Sequence, residues 1–443
     1  MPGFPLLDRA PEAILFRSRE RPQTREDFLA DVARVAQALP DARWLVNCCE
    51  NRYWFAVVIA AGLLREQPSL LTGDHSALGL AWLNQRYPGA ILVSEAEAPD
   101  GPFVHYRVTP STTGGTPPPH PPNPEVPGDR VAAVVFTSGT TGEPTAHVKP
   151  WGGLVARSRA AGERFGFVEA APATVIGMVP QQHMYGFETT LLLPLHAAVA
   201  SWADAVFYPA DARAALAAIP APRVLVATPL QIRALVDFGL PEPPELVVSA
   251  TAPLASSLAE AAEQAWNVEV YEIFGATEVG SIATRRTVRD IHWTMYPGLS
   301  LQATSDPPLI HAPFLQPRQL NDDIEVLDSG HFRLIGRGGD LVKLGGRRAS
   351  LAGLNHILAR IEGVEDGVFV VPDDLDRHPS ARLLAFVVAP ERAASKILAD
   401  LRVRIDPVFL PRQIVRVESL PRNRVGKLTK DALTALRETV EPE

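Results

Sequence analysis

From residue 131 onward, short apolar and β-branched runs alternate with longer stretches whose apolar positions fall three and four apart. Runs of four to six read as buried strands, and the three-and-four spacing as amphipathic helices. The pattern predicts strands over 131–136, 175–179, 223–227 and 246–248, and helices over 212–218, 230–238 and 256–266. Strands that alternate with helices in this way imply an α/β fold with layered, largely parallel sheets.

Two stretches break the pattern. Residues 109–128 are crowded with Pro, Gly, Ser and Thr, and are predicted to be a surface loop. Residues 336–346 hold Gly336, Gly338, Gly339, Gly345 and Gly346. Beyond them come a helix over 351–361, strands over 367–371 and 383–388, a helix over 394–403 and a basic tail. The division predicted is a large N-terminal domain, 1–337, and a small mobile α+β domain, 338–443, on a glycine joint.

Composition narrows the function. With 443 residues, 46% of them hydrophobic and 21% charged, the chain is globular and too long for one ordinary domain. A net charge of -8 disfavours nucleic acid and anionic lipid as partners, since both are polyanions. The charge is uneven: residues 341–443 carry 17 Lys and Arg against 14 Asp and Glu, while the first 340 carry 25 against 36. The C-terminal end is therefore the likelier face for an acidic partner. Cys48 and Cys49 are adjacent, too close for an ordinary structural disulfide or a zinc site, which fits a reducing cytoplasmic setting. Residues 1–16 lack the basic start of a signal peptide, and the apolar run 54–64 is too short for a membrane span of about 20 residues.

The strongest local motif follows the predicted strand 131–136: Thr137, Ser138, Gly139, Thr140, Thr141, Gly142, Glu143, Pro144. Glycines permit a tight backbone approach, and successive N–H groups and hydroxyls offer donors to phosphate oxygens. Taken alone, such a loop fits a phosphate cradle and a plain strand-ending turn equally. It is not a Walker A loop, because no Lys-Ser/Thr pair follows Gly142.

Together with its companions, this loop resembles that of the adenylate-forming superfamily of acyl-CoA synthetases, adenylation domains and luciferases. Further matches occur in the family's order. The segment 180–186, with His183, is similar to the gate of the acyl tunnel, and 249–254, with Ala252 and Pro253, to the turn beside the adenine. Residues 271–278 run from Tyr271 through Phe274 and Gly275 to the Gly-x-Thr-Glu signature of Thr277 and Glu278. Asp322 falls where the family binds ribose, Arg337 where it reaches the nucleotide, and 421–427 matches the C-terminal lysine motif ending in Lys427.

The resemblance implies ATP-dependent activation of a small carboxylic acid as acyl-AMP, then transfer to the phosphopantetheine thiol of CoA or an acyl carrier protein. Glu278 would be the Mg²⁺ ligand, since hard cations prefer oxygen donors. Thr277 would steady the acyl-phosphate oxygens, and Lys427 would bring a point charge to the attacking carboxylate when the small domain closes. His183 would line the tunnel; Tyr185, Phe187 and Phe274 near the gate permit a planar ring, and core packing would use the same residues. After adenylation the family rotates its small domain, and the glycines at 338–339 and 345–346 suit that hinge and the loop beside the pantetheine.

This sequence departs from the family in four places. Thr145 replaces the usual loop lysine, with Lys149 close enough to substitute its charge; Gly339 replaces the hinge Asp or Lys; the Glu expected within 351–354 is missing; and the N-terminal part is short. The short N-terminus, 136–139 and 149–151 resemble the ligases of aryl-polyene and xanthomonadin-type pigment pathways. That likeness implies a hydroxybenzoate-like or hydroxycinnamate-like acid and an acyl carrier protein. The alternatives are a ligase using free CoA on an aliphatic or 3-hydroxy acid, and a non-catalytic nucleotide-binding or scaffold protein.

Overall fold

In the computed structural model, the described residues are 2–97, 101–108, 121–137, 144–302, 308–320, 322–337, 341–344, 347–371, 382–422, 428 and 430–438. Among them, two sheets carry the large domain. The first runs in the order Thr145–Pro150, Val131–Thr137, Ser69–Leu71, Trp44–Asn47, Ala90–Ser94, Val104–Arg107, parallel except where Thr145–Pro150 turns back on Val131–Thr137. The second has a parallel centre, Glu269–Ala276, Leu246–Ser249, Arg223–Ala227, Ala173–Gly177, Val199–Trp202 and Ile14–Arg17. Beyond Glu269–Ala276 it becomes antiparallel through Gly280–Arg286, Trp293–Met295, His331–Arg337 and Asp322–Val326. The predicted strands and helices of this half fall in place, with helices Pro209–Ala218, Pro229–Phe238 and Ser256–Trp266. The antiparallel half departs from the purely alternating pattern, because hairpins need no crossover helix.

The apolar run at 54–64 belongs to the helix Arg52–Leu64, buried on nearly every side, as a helix without a polar face must be. Asn51 caps it, its side chain accepting from the N–H groups of Tyr53 and Trp54. Arg52 then ties the two sheets: its guanidinium donates to the carbonyls of Gly177 at 2.8 Å, Val179 at 3.1 Å and Asp204 at 3.0 Å. Burial pulls its pKa down to about 10, so it stays charged at neutral pH. No helix among the described residues is long and apolar enough to cross a membrane.

Of the expected surface loop at 109–128, residues 109–120 lie outside the described residues, and the end is corrected. Glu125–Pro127 is a strand paired antiparallel with Gly3–Pro5, with Val126 buried between them. One apolar residue in a polar stretch gives no periodicity from which to read a strand.

The smaller C-terminal domain has its own apolar clusters. Leu354, Leu358, Phe369, Leu383, Ile397 and Leu401 form one; Val368, Phe386, Leu420 and Leu436 form the other. They cover the two faces of a sheet of Asp366–Val370, Leu384–Val388 and Gln413–Arg416, beside the hairpin Leu341–Leu344 and Arg347–Ser350.

Candidate active site

Thr137 in the first sheet and the segments 180–186, 249–254 and 277–278 in the second follow or end parallel strands, the position at which open α/β sheets hold their ligands. Thr137 closes its strand, and its hydroxyl lies 3.0 Å from Nε2 of His147 on the paired strand Thr145–Pro150. Side chains alternate along that strand, so Thr145, His147 and Lys149 share one face. Ser138, Gly139, Thr140, Thr141 and Gly142 lie outside the described residues.

Thr277 and Glu278 form the turn between Glu269–Ala276 and Gly280–Arg286. The Lys149 ammonium donates to the Thr277 carbonyl, which fastens this turn to the strand that follows the candidate phosphate loop. This places the charged group of position 149 at the turn, from the strand that also carries Thr145. Burial lowers the Lys149 pKa to about 8, against the attraction of Glu188 and Glu278. Burial, Lys149 and Arg318 also hold His147 below its usual value, while Glu278 pulls the other way. Among the described residues no three His, Cys, Asp or Glu side chains gather as a metal cage. Mg²⁺ bound chiefly by phosphates and water needs only one or two protein carboxylates, and Glu278 has the right donor for that.

Ala252 and Pro253 occupy the turn between Leu246–Ser249 and Ser256–Trp266, as the sequence implied. Thr251 takes a left-handed φ of 78°, a conformation that non-glycine residues hold only when their surroundings require it. Further along the same turn, the buried Glu272 carboxylate accepts from the Leu254 N–H at 2.9 Å and pairs with Arg285 at 2.8 Å. Gly275 sits at a bulge where a Cβ would lie 2.7 Å from the Gly280 carbonyl oxygen.

His183 precedes a short helix, Met184–Gly186, and its ring lies against Gly73, where a Cβ would be 2.9 Å from the imidazole. Each of these residues follows a strand of a different sheet, so the gate segment spans the crevice between them. Tyr185 and Phe187 serve the core instead: the Tyr185 hydroxyl donates to the Val248 carbonyl at 2.7 Å, and Phe187 is fully buried. Phe274 is likewise packed against Trp293 and Phe332, with ring centres 5.6 and 5.5 Å away. Tyr271 is not brought to the turn. It lies six residues back along the strand, about 20 Å at 3.3 Å per residue, with its hydroxyl on Glu269.

Asp322 stands directly opposite Arg337 in the antiparallel pair of Asp322–Val326 and His331–Arg337. Residues fifteen apart in sequence thus share one rung of the sheet. Lys427 lies outside the described residues, but both ends of its segment are described. Arg422 and Leu428 form an antiparallel bridge, and the Arg422 guanidinium holds Asp366 through two bonds of 2.8 Å.

Sequence reasoning missed Glu188 and Ser281, which meet beside the Thr277–Glu278 turn, and the buried Arg157, which Glu188 attracts. Glu188 accepts from the Ser281 N–H at 2.9 Å and from its hydroxyl at 2.5 Å. One signal was available: Glu188 is the only acid in the stretch 180–203, and a lone acid in an apolar stretch needs a partner.

A two-layered α/β domain with a smaller C-terminal domain, and strand ends edged by a Thr-Glu turn and a buried lysine, fit a nucleotide-dependent acid-activating enzyme. Comparison with known proteins makes the assignment specific. Residues 75–313 match the model of the AMP-binding enzyme family. The chain is 31% identical over 302 residues to a 4-coumarate--CoA ligase of Rhodobacter capsulatus, covering 67% of this chain and 74% of that protein. Its fold matches ATP-bound MatB from Rhodopseudomonas palustris with a TM-score of 0.81 at 19% identity, over 98% of this chain and 97% of that one. It also matches an anthranilate CoA ligase, AuaEII, solved with anthranoyl-AMP, with a TM-score of 0.78 at 14% identity, over 97% and 94% of the two chains. The chain belongs to the AMP-binding enzyme family, and it is an ATP-using, AMP-forming acid–thiol ligase.

Proposed function

We propose that this ligase activates an aryl acid such as a hydroxybenzoate, with ATP and Mg²⁺, and passes the acyl group to the phosphopantetheine thiol of an acyl carrier protein. The observation that carries the adenylation step is the Lys149 bond to Thr277, which sets a cation and the Thr-Glu turn against the strand Thr145–Pro150. Attack of a carboxylate on the α-phosphate brings two anions together, so cations must be in place beforehand. In this reading Glu278 holds Mg²⁺, Thr277 steadies the acyl-phosphate oxygens and Thr137 to Gly142 cradle the phosphates. Ala252, Pro253 and Gly275 border the adenylate, Asp322 binds its ribose, Arg337 reaches the nucleotide, and His183 lines the tunnel for the acid.

The aryl acid is supported by the relatives: one is a 4-coumarate--CoA ligase and one fold neighbour holds anthranoyl-AMP. We assign the large domain to residues 1–337 and the mobile domain, with Lys427, to 338–443; separate apolar cores on either side support that boundary. Free CoA is the second reading for the acceptor, favoured by the relatives named as CoA ligases.

Acid-dependent pyrophosphate release across hydroxybenzoates, cinnamates and fatty acids tests the first half-reaction. Release confined to one aromatic class is expected, and release with fatty acids alone would overturn the aryl assignment. Competition between CoA and a pantetheinylated carrier protein for the same acyl-AMP then decides the acceptor.

A further inference from the structure

We propose that Glu188 is a positioning residue of the adenylation site, acting through Lys149 and Ser281 to hold the Thr277–Glu278 turn against the phosphate-loop hairpin. The inference rests on the reading of that turn as part of the adenylation site. It links the helical segment that follows the acid gate to the nucleotide side of the crevice.

Three elements meet around this turn. Glu188 belongs to the segment Phe187–Leu192, Lys149 to the strand Thr145–Pro150, and Ser281 to the strand that leaves the turn. Glu188 holds Ser281 by two hydrogen bonds on one side of the turn, and Lys149 holds the Thr277 carbonyl on the other. Next to Ser281, Gly280 has a φ of +100°, and a Cβ there would lie 2.3 Å from Oε1 of Glu188. Carboxylate and turn backbone are therefore packed directly together, with no room for a side chain between them.

The charges require one another. Glu188, Lys149 and Arg157 are all buried, and Arg157 lies 6.0 Å from the centre of the Tyr296 ring. A buried cation is costly unless an anion accompanies it. Glu188 attracts both Lys149 and Arg157, and Glu278, at the turn, is the other acid acting on Lys149. A carboxylate here thus allows Lys149 to remain charged in the interior while its ammonium is spent on the Thr277 carbonyl. Burial itself pushes the Glu188 carboxyl up, so its ionised form depends on those same cations and on Ser281.

A double-mutant cycle separates this role from a merely structural one. In Glu188→Gln, adenylation is expected to fall about 10- to 100-fold with a raised KM for ATP, as for loss of one preorganised charge-bearing contact. Thioester formation from supplied acyl-AMP should stay within about threefold of the parent enzyme. Lys149→Met should lose a similar amount, and the double variant should be no worse than the weaker single, because the two act as one unit. Unchanged adenylation in folded Glu188→Gln, or a double loss equal to the product of the two single losses, overturns the proposal. Should Glu188→Gln not fold, Ser281→Ala takes its place in the cycle, with the same two outcomes. The dissociation constant for ATP is read throughout. If the parent enzyme releases no pyrophosphate with any acid, the functional reading fails, while non-additive loss of ATP binding still decides the role of Glu188.

Discussion

At the scale of single residues, the site separates side chains that face the chemistry from those that hold them in place. Glu278 is set at the apex of a hairpin turn whose carbonyl is tied to Lys149. Replacement by Gln keeps its shape and removes the anion, so adenylation is expected to fall about 10²- to 10³-fold. Pyrophosphate release measures that loss, and activity restored by raised Mg²⁺ would point to the metal. His196 is a structural counterpart. It is fully buried with its ring 5.2 Å from that of Trp151, and neither ring nitrogen has a hydrogen-bond partner among the described residues. Burial pulls its pKa down to about 4 from 6.5. Above pH 6.5 it is neutral whether folded or unfolded, so its contribution to stability is constant there. Between pH 6.5 and 4 only the unfolded chain takes up the proton, and stability falls by up to about 3 kcal/mol. His196→Phe should flatten this acid limb of the urea-unfolding free energy, and an unchanged limb would place the titration elsewhere.

At the scale of elements, local backbone geometry decides which segments tolerate change. Gly186 ends the short helix after the gate, and a Cβ there would lie 2.1 Å from the Pro180 carbonyl oxygen, a backbone atom that cannot swing aside. Gly186→Ala is expected to cost about 2–4 kcal/mol, as other overpacked sites do, and to disturb His183 with it. Gly153 lies in the helix Trp151–Arg164 with its nearest neighbour at 3.4 Å, so Gly153→Ala should be neutral or stabilising by a few tenths of a kcal/mol. Denaturant midpoints of the two variants check the contrast, and equal midpoints would refute it. The helices Pro229–Phe238 and Ser256–Trp266 were legible because each has one apolar face and a clear boundary. The strands Ser69–Leu71 and Glu125–Pro127 were not, since three residues carry no period and gain their identity from the strand beside them.

At the scale of the whole molecule, the proposed reading gives the two half-reactions different surfaces of the small domain. Lys427→Ala should abolish pyrophosphate release while leaving transfer from supplied acyl-AMP largely intact. Equal loss of both would count against a domain that changes position between steps. Arg422, which precedes the lysine segment, is held to the small domain's own sheet by Asp366. By itself the sequence determined the α/β class, the order of the motifs and the residue types the chemistry needs, because strand length, helix period and glycine placement are local properties. It also pointed to Lys149 as the cation beside Thr145. Only the tertiary structure decided that Lys149 grips the Thr277 carbonyl, that Phe274, Tyr185 and Phe187 belong to the core, and that Glu188 lies beside the turn. Those outcomes depend on which distant strands lie side by side and on how far each side chain is removed from water, and neither is a property of neighbouring residues in the chain.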